Sequence, residues 1–223
     1  MWLNDKPFKK DLEIALKREV KLMNDANCFT LSEAVDGAGK DYQSIFGIIV
    51  GTGFGGALSY KKEIIEGANQ IAGDWGHQPL PYPTKVEIET KINCPSMNCG
   101  RPLCAEQFMS GIGFKDVFNQ KHKTNFTSEE IVKLDLDGDP RANLELSLYE
   151  DRMARLMAVM IGIFDPDAII LGGGMSNIDR LYKNIPILIP KYTFSNKVIT
   201  KVLKNFHGDS SGVRGAAWLW NNV

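Results

Sequence analysis

The residues best suited to chemistry lie in one short segment. Three of the chain's four cysteines, Cys94, Cys99 and Cys104, fall within eleven positions, and His77 precedes them on a turn next to Gly76. One imidazole and three thiolates form the ligand set of a closed, tetrahedral zinc site. The alternative is three unrelated buried thiols, because a free cysteine packs like a small hydrophobic residue. The surrounding Gly, Pro and Asn residues argue against core packing, so the segment predicts structural zinc.

A second candidate is the carboxylate of Asp25, which stands between two amides in Asn24-Asp25-Ala26-Asn27, at the start of a predicted helix. Asn and Asp are favoured at helix starts because their side chains accept hydrogen bonds from the first backbone N–H groups. A carboxylate held there in a cleft can also take a proton from a substrate hydroxyl as a general base. The tetrapeptide alone favours the cap and leaves the catalytic role open.

Two further acids, Asp74 and Glu106, flank the cysteine segment. Glu106 stands in the first turn of a predicted helix, where an acid stabilises the helix dipole. Both carboxylates are also placed to accept hydrogen bonds from substrate hydroxyls. A metal-bound histidine commonly uses its second ring nitrogen for another partner, so His77 is a candidate for the same substrate.

Two glycine-rich loops follow predicted strands. The backbone amides of Gly51-Thr52-Gly53 and the Thr52 hydroxyl suit a phosphate group, although a tight turn also explains these glycines. Gly172-Gly173-Gly174 lies between a strand and a helix, and a helix N-terminus suits an anion or a nucleotide. Neither loop has the P-loop or dinucleotide-binding pattern. Each is therefore a weak indication of nucleotide binding.

The elements that position these residues alternate between helix and strand. The long irregular stretch 67–104 requires a device that fixes it, and zinc would provide one. Thr127 and Glu130 have the spacing of a helix capping box. The repeated order of strand, glycine turn and helix predicts an α/β fold. Apolar periodicity predicts helices at 11–22, 26–35, 140–164, from about 177, and at 215–220, strands at 45–50, 168–171 and 198–203, and a hairpin or meander at 57–65.

Composition excludes several classes of protein. The chain has 223 residues, a net charge of −1 and 43% hydrophobic residues. This charge gives no indication of nucleic acid or an anionic membrane as a standing partner. The apolar runs are too short to span a bilayer, and residues 1–10 lack the apolar core of a signal peptide. Together with grouped rather than paired cysteines, these features predict a cytoplasmic protein.

In chain order, these segments resemble the ROK family of bacterial sugar kinases and repressors, and within it the fructokinase-like branch. The resemblance covers nearly the whole chain, and its histidine and cysteine pattern is specific to the family. The glycine loops add only agreement. The stretches that carry it are 24–27 with 32–34, 49–53, 72–77, 99–106 and 165–174.

The resemblance implies an actin-like, hexokinase-like ATPase fold with a ribonuclease-H-like lobe. It also implies ATP-dependent phosphorylation of a hexose, fructose foremost, with a homodimer as the plausible assembly. Asp25 would be the general base, the loop Gly51–Gly53 would face the transferred phosphate, and Gly172–Gly174 would lie against the adenosine. The remaining sugar hydroxyls would be held by Asn24, Asp74, His77 and Glu106.

The same resemblance implies two metal ions. Structural Zn²⁺ on His77, Cys94, Cys99 and Cys104 would shape the sugar loop, 73–106, without taking part in the chemistry. Mg²⁺ would accompany ATP and neutralise charge on the transferred phosphoryl group.

Three positions depart from the family pattern. Asp74 stands where the family usually has Glu, and Leu103 where it often has Gly, which predicts strain in the turn before Cys104. Met97 occupies the place of the usual first zinc cysteine. Cys94 is the candidate replacement, so we expect a bulged zinc loop or a weaker site.

The kinases of this family begin with an Asp-x-Gly-Gly-Thr-Lys turn that binds ATP phosphates, and this sequence lacks it. We therefore expect residues 1–24 to be a remnant of the first lobe and residues 25–223 to be the C-terminal lobe, with part of the N-terminal lobe missing. A catalytically inactive sugar-binding fragment and a sugar-responsive transcriptional regulator are the alternatives. The retained Asp25 favours a kinase, and the sequence shows no basic recognition helix.

Overall fold

A mixed five-stranded sheet in the order β3-β2-β1-β4-β5 forms the centre of the computed structural model, which describes residues 6–90, 92–96, 99–195 and 197–220. The first three strands form an antiparallel meander, and β4 and β5 continue the sheet in parallel with β1. The predicted α/β class and hairpin are confirmed. The strands are β1 (Ser44–Val50), β2 (Phe54–Tyr60), β3 (Glu63–Ile65), β4 (Ala168–Gly172) and β5 (Lys201–Lys204).

Helices cover both faces of this sheet. The predicted limits of the long helix α7 are confirmed, and so is the capping box of Thr127 and Glu130 at the start of α6. The helices are α1 (Phe8–Leu16), α2 (Asp25–Val35), α3 (Lys85–Glu89), α4 (Ala105–Met109), α5 (Gly111–His122), α6 (Ser128–Leu136), α7 (Pro140–Phe164), α8 (Arg180–Leu188) and α9 (Ser211–Trp218).

Several predicted boundaries were wrong. The strand predicted at 198–203 runs from Lys201 to Lys204, and the helix predicted at 215–220 runs from Ser211 to Trp218. The first helix ends at Leu16 rather than at residue 22, because Lys17 adopts a left-handed conformation with φ of 52°. The stretch predicted as irregular contains α3, which starts at a capping box of Thr84 and Glu87. The chain after Gly174 forms a 3₁₀ turn, and α8 begins only at Arg180.

The strand side chains alternate between two cores, as the period of two in a strand requires. Phe46, Ile48 and Val50 of β1 point into the larger core, which α7 also lines. Ile45 of β1 and Ile170 of β4 point the other way, into a smaller core with Phe29 of α2. The sheet is thus covered on both faces, and α2 lies on the face opposite α7.

Close approaches on two sides fix the position of α2. A Cβ on Gly172 would lie 2.4 Å from the ring of Phe29, and a Cβ on Gly215 of α9 would lie 1.7 Å from the carbonyl oxygen of Cys28. Only glycine allows both contacts. The helix is therefore held between the sheet and α9, and its first residue, Asp25, has a fixed place beside the sheet.

By contrast, α1 buries none of its residues. The predicted division of the chain at residue 24 stays a prediction. Among the parts of the chain that the structure describes, no helix combines the length and the apolar composition that crossing a bilayer requires.

Candidate active site

A cavity of about 210 Å³, the small cavity, lies where the N-terminus of α2 meets the start of β2. The structure brings three of the predicted substrate residues, Asn24, Asp25 and Asp74, together on its wall. They come from segments about fifty positions apart, and most of their neighbours are polar or small. The wall consists of Asn24, Asp25, Ala26, Asn27, Gly55, Gly56, Gln70, Ile71, Ala72 and Asp74.

The start of α2 separates the roles of its two polar residues. Asn24 is the N-cap, and its Oδ1 accepts hydrogen bonds from the backbone N–H groups of Ala26 at 2.9 Å and Asn27 at 3.4 Å. Asp25 is the first helical residue, and its Oδ1 accepts from the N–H of Ala26 at 2.8 Å. Asn24 is therefore the cap, and Asp25, which shares the N–H of Ala26 with it, also presents an exposed carboxylate on the cavity wall.

A larger cavity of about 710 Å³ lies on the other side of the sheet's glycine loop. Of the six residues predicted to bind nucleotide, Gly51, Thr52 and Gly174 line it. A Cβ on Gly51 or on Gly174 would meet no atom within 4 Å, so packing does not explain these two glycines. The wall consists of Gly51, Thr52, Gly111, Ile112, Lys115, Thr127, Ser128, Glu129, Val132, Gly174, Met175, Asn177 and Ile178.

The other three predicted nucleotide residues do not line the large cavity. Gly172 packs under the ring of Phe29, as described above. Gly173 has φ of +81°, and a Cβ there would lie 2.5 Å from the carbonyl oxygen of Val50. Gly53 backs onto Glu106, whose Oε2 would lie 3.2 Å from an added Cβ. For these glycines the packing or turn explanation accounts for the residue type, and their contact with nucleotide stays a prediction.

One loop separates the two cavities. Gly51 and Thr52 face the large cavity, whereas Gly55 and Gly56 face the small one. The loop is fixed from the side, because the carbonyl oxygen of Gly51 accepts from the backbone N–H of Gly111 at 2.7 Å. A group bound at one end of this loop therefore lies close to a group bound at the other end, which is the geometry that a transfer reaction needs.

Sequence reasoning missed most of the large cavity. Ser128 lies on its wall and donates through Oγ to the carbonyl oxygen of Gly111 at 2.7 Å, which ties α6 to α5. Thr127 and Ser128 were recognised only as the start of a helix. Lys115 is the only basic side chain on the described wall, and its Nζ lies 3.0 Å from Oδ1 of Asp116. No spacing in the sequence distinguishes this lysine from an exposed one.

The predicted metal ligands form one cluster. Ligand atoms of His77, Cys94, Cys99 and Cys104 all lie within 4.8 Å of one another. The Sγ atoms of Cys99 and Cys104 are 3.6 Å apart, much farther than the roughly 2.05 Å of a disulfide. Nδ1 of His77 lies 3.5 Å from Sγ of Cys104 and 3.9 Å from Sγ of Cys94.

These separations fit zinc. In a tetrahedron with Zn–S of about 2.3 Å and Zn–N of about 2.0 Å, two sulfurs lie about 3.8 Å apart and sulfur and nitrogen about 3.5 Å apart. The cluster includes Cys94, the predicted replacement ligand, whereas Met97 lies outside the described residues. Burial raises the pKa of the Cys94 and Cys104 thiols, and a hydrogen bond from the backbone of Arg101 lowers the pKa of Cys99.

The turn before Cys104 is strained, as expected. Leu103, which stands where the family often has Gly, adopts φ of 54°, a conformation that is rare for residues with a side chain. Its carbonyl oxygen accepts from the backbone N–H of Leu80 at 2.7 Å. This bond and the isolated β-bridge between Pro79 and Cys104 join the chain after His77 to the chain before Cys104. Both lie in the sugar loop, 73–106, which we call the metal loop from here on.

Glu106 and His77 lie with the metal cluster rather than on the wall of the small cavity. The carboxylate of Glu106 is buried, and its Oε1 accepts from Oγ of Ser96 at 2.6 Å. Its Oε2 accepts from the backbone N–H of Phe54 at 3.1 Å. Glu106 therefore connects the metal loop to the first residue of β2, the strand whose next two residues line the small cavity.

A mixed sheet with a large cavity and a small polar cavity at the two ends of one glycine loop suits a protein that transfers a group between two bound small molecules. The chain belongs to the ROK family, whose sequence profile matches residues 1–223. It is accordingly a sugar kinase of this family that acts on a hexose, as the sequence predicted.

Known proteins agree with this assignment. The N-acetyl-D-glucosamine kinase of Vibrio atlanticus strain LGP32 is 38% identical over 214 residues, which cover 96% of this chain and 71% of that protein. The ROK hexokinase of Thermus thermophilus superimposes with a TM-score of 0.82 at 25% identity, over 96% of this chain and 68% of that one. A Streptomyces griseus ROK glucokinase, solved with glucose and AMPPNP, gives 0.80 at 24% identity, over 96% and 72%. The likeness confirms the actin-like, hexokinase-like ATPase fold.

Proposed function

We propose that this chain transfers the terminal phosphoryl group of Mg-ATP to a hydroxyl of an N-acetylated hexosamine, N-acetylglucosamine foremost. The observation that carries the proposal is the pair of cavities on opposite ends of the loop from Gly51 to Gly56. The large cavity has room for a nucleotide. The small cavity is lined by carboxylates and amides, which are the groups that hold hydroxyls.

Within this proposal, Asp25 takes the proton from the attacking hydroxyl, and Asn24 and Asp74 hold neighbouring hydroxyls. The backbone amides around Gly51 and the Thr52 hydroxyl donate hydrogen bonds to the phosphoryl group as it passes from ATP to the sugar hydroxyl, and Gly174 lies against the adenosine. Such positioning and charge stabilisation supply most of the catalysis of phosphoryl transfer. Mg²⁺ enters with ATP as part of that substrate and neutralises its phosphate charge.

We also propose that His77, Cys94, Cys99 and Cys104 bind one structural Zn²⁺. When bound, zinc would hold the loop in shape and take no part in the chemistry. The loop carries Asp74 onto the small cavity, and Glu106 connects it to β2. Zinc therefore supports the sugar side of the site. His77 and Glu106 do not line the small cavity, and direct contact between these two residues and the sugar stays a prediction.

The sequence predicted fructose, and two observations favour an N-acetylated sugar instead. The first is that the Vibrio atlanticus relative is an N-acetyl-D-glucosamine kinase. The second is the wall of the small cavity, which includes Ile71, a residue that is 63% exposed, and its neighbour Gln70. An acetamido group needs an apolar surface for its methyl and a hydrogen-bonding partner for its amide, and these neighbours offer both.

The test is a coupled ADP-release assay on the purified chain with Mg-ATP. The sugars are N-acetylglucosamine, N-acetylmannosamine, glucose, mannose and fructose. We expect the highest kcat/KM with N-acetylglucosamine. A higher kcat/KM with fructose would restore the fructokinase interpretation.

Sugar binding by calorimetry without ADP release from any of the five sugars would contradict kinase activity of this chain. That result would favour the alternative of a sugar-binding module. The same sample, analysed for metal, reports whether zinc is bound.

A further inference from the structure

The segment between His77 and Cys94 is fastened to α7 by a buried cluster of charges that the proposed chemistry does not use. Glu87 of α3 is 2% exposed, and Arg152 and Arg155 of α7 are 3% and 2% exposed. Charged side chains are rarely buried to this degree unless they are paired. We call these three residues the α7 clamp.

The pairing within the α7 clamp is direct. Oε1 of Glu87 lies 2.8 Å from Nε of Arg152 and 2.7 Å from a terminal nitrogen of Arg155. Its Oε2 accepts a further bond from Arg155 at 3.1 Å. Burial alone would raise the pKa of Glu87, but the bonds from Arg155, from the backbone of Thr84 and from Arg152 lower the pKa to about 2.

Arg155 also holds the chain that leads into α3. It donates to the carbonyl oxygens of Pro81 at 2.9 Å and Tyr82 at 2.8 Å. The ring of Tyr82 stacks on that of Tyr192, with the centroids 6.2 Å apart. The chain between His77 and Cys94 is therefore bound to α7 through side-chain and backbone groups, and its Tyr82 stacks on Tyr192, whose hydroxyl donates to Asp151 of α7.

The same face of α7 also contacts the chain just after the last ligand, Cys104. The guanidinium of Arg152 lies over the ring of Phe108, 5.1 Å from its centroid, and Phe108 stands four residues after Cys104. Tyr149 donates to the carbonyl oxygen of Met109 at 2.9 Å. Tyr149, Arg152 and Arg155 are spaced by three residues, so they share one face of the helix. One helix face thus contacts the chain between His77 and Cys94 and again the helix α4 that follows Cys104.

Stability alone does not account for such a cluster, because well-packed apolar residues often hold a core as firmly as a buried ion pair. Charge-assisted hydrogen bonds differ in being directional, and a two-pronged Arg–carboxylate pair fixes geometry. We propose that Glu87, Arg152 and Arg155 are positioning residues that set the geometry of the four metal ligands. They do so by holding two parts of the chain against α7, the part between His77 and Cys94 and the part just after Cys104. This inference rests on the proposed zinc binding.

The test compares two matched substitutions. Glu87 and Glu130 both close a capping box at the start of a helix, but only Glu87 meets buried arginines. E87Q and E130Q therefore remove the same charge from the same local position, and in both variants the glutamine can still close the capping box. We expect E87Q to lower zinc affinity about tenfold, as the loss of a supporting partner does in other metal sites, and E130Q to leave it unchanged. Affinity is measured by competition with a chelator.

A second readout needs no metal. In the metal-free protein, E87Q should speed the reaction of Cys94, Cys99 and Cys104 with a thiol reagent severalfold, and E130Q should not. If E87Q fails to fold, E87D replaces it: this variant keeps the charge but withdraws it by one methylene, and we expect a smaller shift in the same direction.

The inference would be overturned if E87Q kept both the zinc affinity and the labelling rate of the wild-type protein, whatever happens to its melting temperature. The same holds for E87D where that variant replaces E87Q. If the wild-type protein binds no zinc, the proposed metal site fails by itself. The labelling rates then decide whether the α7 clamp positions the loop.

Discussion

The two cavities at the ends of the glycine loop are lined by different kinds of chemical groups. The small cavity presents side chains that carry charge or hydrogen-bonding groups, among them Asp25 and Asp74. The large cavity presents glycine backbone, helix starts and the apolar side chains of Ile112, Val132 and Ile178. A sugar is recognised through its hydroxyls, whereas a nucleotide offers a flat base and a phosphate chain. The two linings match these two kinds of ligand.

The support behind each cavity also differs. The loop that carries Asp74 is held by the metal cluster and by the α7 clamp of Glu87, Arg152 and Arg155. The large cavity is held by ordinary helix packing and by bonds such as that from Gly111 to Gly51. Substitutions on the small side should therefore reduce the rate or the metal content, and those on the large side should weaken ATP binding alone.

The largest effect is expected at Asp25. D25N removes the proposed base but keeps the shape and the hydrogen-bonding side chain. Losing a general base costs about 100- to 10,000-fold in rate, so kcat should fall by that factor while sugar affinity by calorimetry stays nearly unchanged. D41N is the matched control, because Asp41 is also exposed and lies on neither cavity wall. Turnover of D25N near the wild-type rate would exclude Asp25 as the base.

The next effect concerns the metal loop. C99S should reduce bound zinc from about one equivalent to near zero, because a closed structural site needs all of its ligands. We expect KM for the sugar to rise with it and KM for ATP to stay the same, since the loop supports only the small cavity. Metal analysis and the ADP-release assay measure both.

Cys28 provides the control for this experiment. It is the chain's remaining cysteine, buried beside α9 and outside the cluster. C28A should keep its zinc. Full zinc content in C99S would show that the metal is held in another way.

The functional residues of the small cavity were predictable from sequence because their side chains belong to short motifs. Asn24 and Asp25 are adjacent, and Asp74 stands three residues before His77. The ligand set, including Cys94, followed from counting thiols in one segment. What sequence could not supply was the place of Glu106, which bonds to the backbone of Phe54 rather than lining the cavity.

The large side was not predictable in the same way. Apart from Gly51 and Thr52, its wall comes from three separate segments, 111–115, 127–132 and 174–178, whose residue types are common on any helix. The glycine run at 172–174 was predicted as one unit, but tertiary packing divides it: Gly172 and Gly173 serve close contacts, and Gly174 faces the cavity. The arginines of the α7 clamp were missed for a related reason, since a helical pattern does not show which charged residues a loop will cover.

Gly174 allows a direct test of the large side. Because a Cβ there meets no atom within 4 Å, G174L should fill part of the cavity without disturbing the core. We expect KM for ATP to rise about tenfold, or ~1.4 kcal/mol, with KM for the sugar unchanged. G162L is the control, since Gly162 of α7 also has open space around it and lies on neither wall. A parallel rise in both KM values would mean that the two cavities are not independent.

The smallest effect is expected at Lys115, the only basic side chain on the described wall of the large cavity. Its side chain is 37% exposed, and an exposed charge contributes only about 0.4–1 kcal/mol to an interaction. K115M should therefore raise KM for ATP about two- to fivefold, more at low salt than at high salt, because ions screen the charge. K133M is the control, because Lys133 forms an exposed ion pair with Asp137 and lies on neither cavity wall. An unchanged KM for ATP in K115M at low salt would leave the large cavity as a site that binds its nucleotide through backbone and apolar contacts alone.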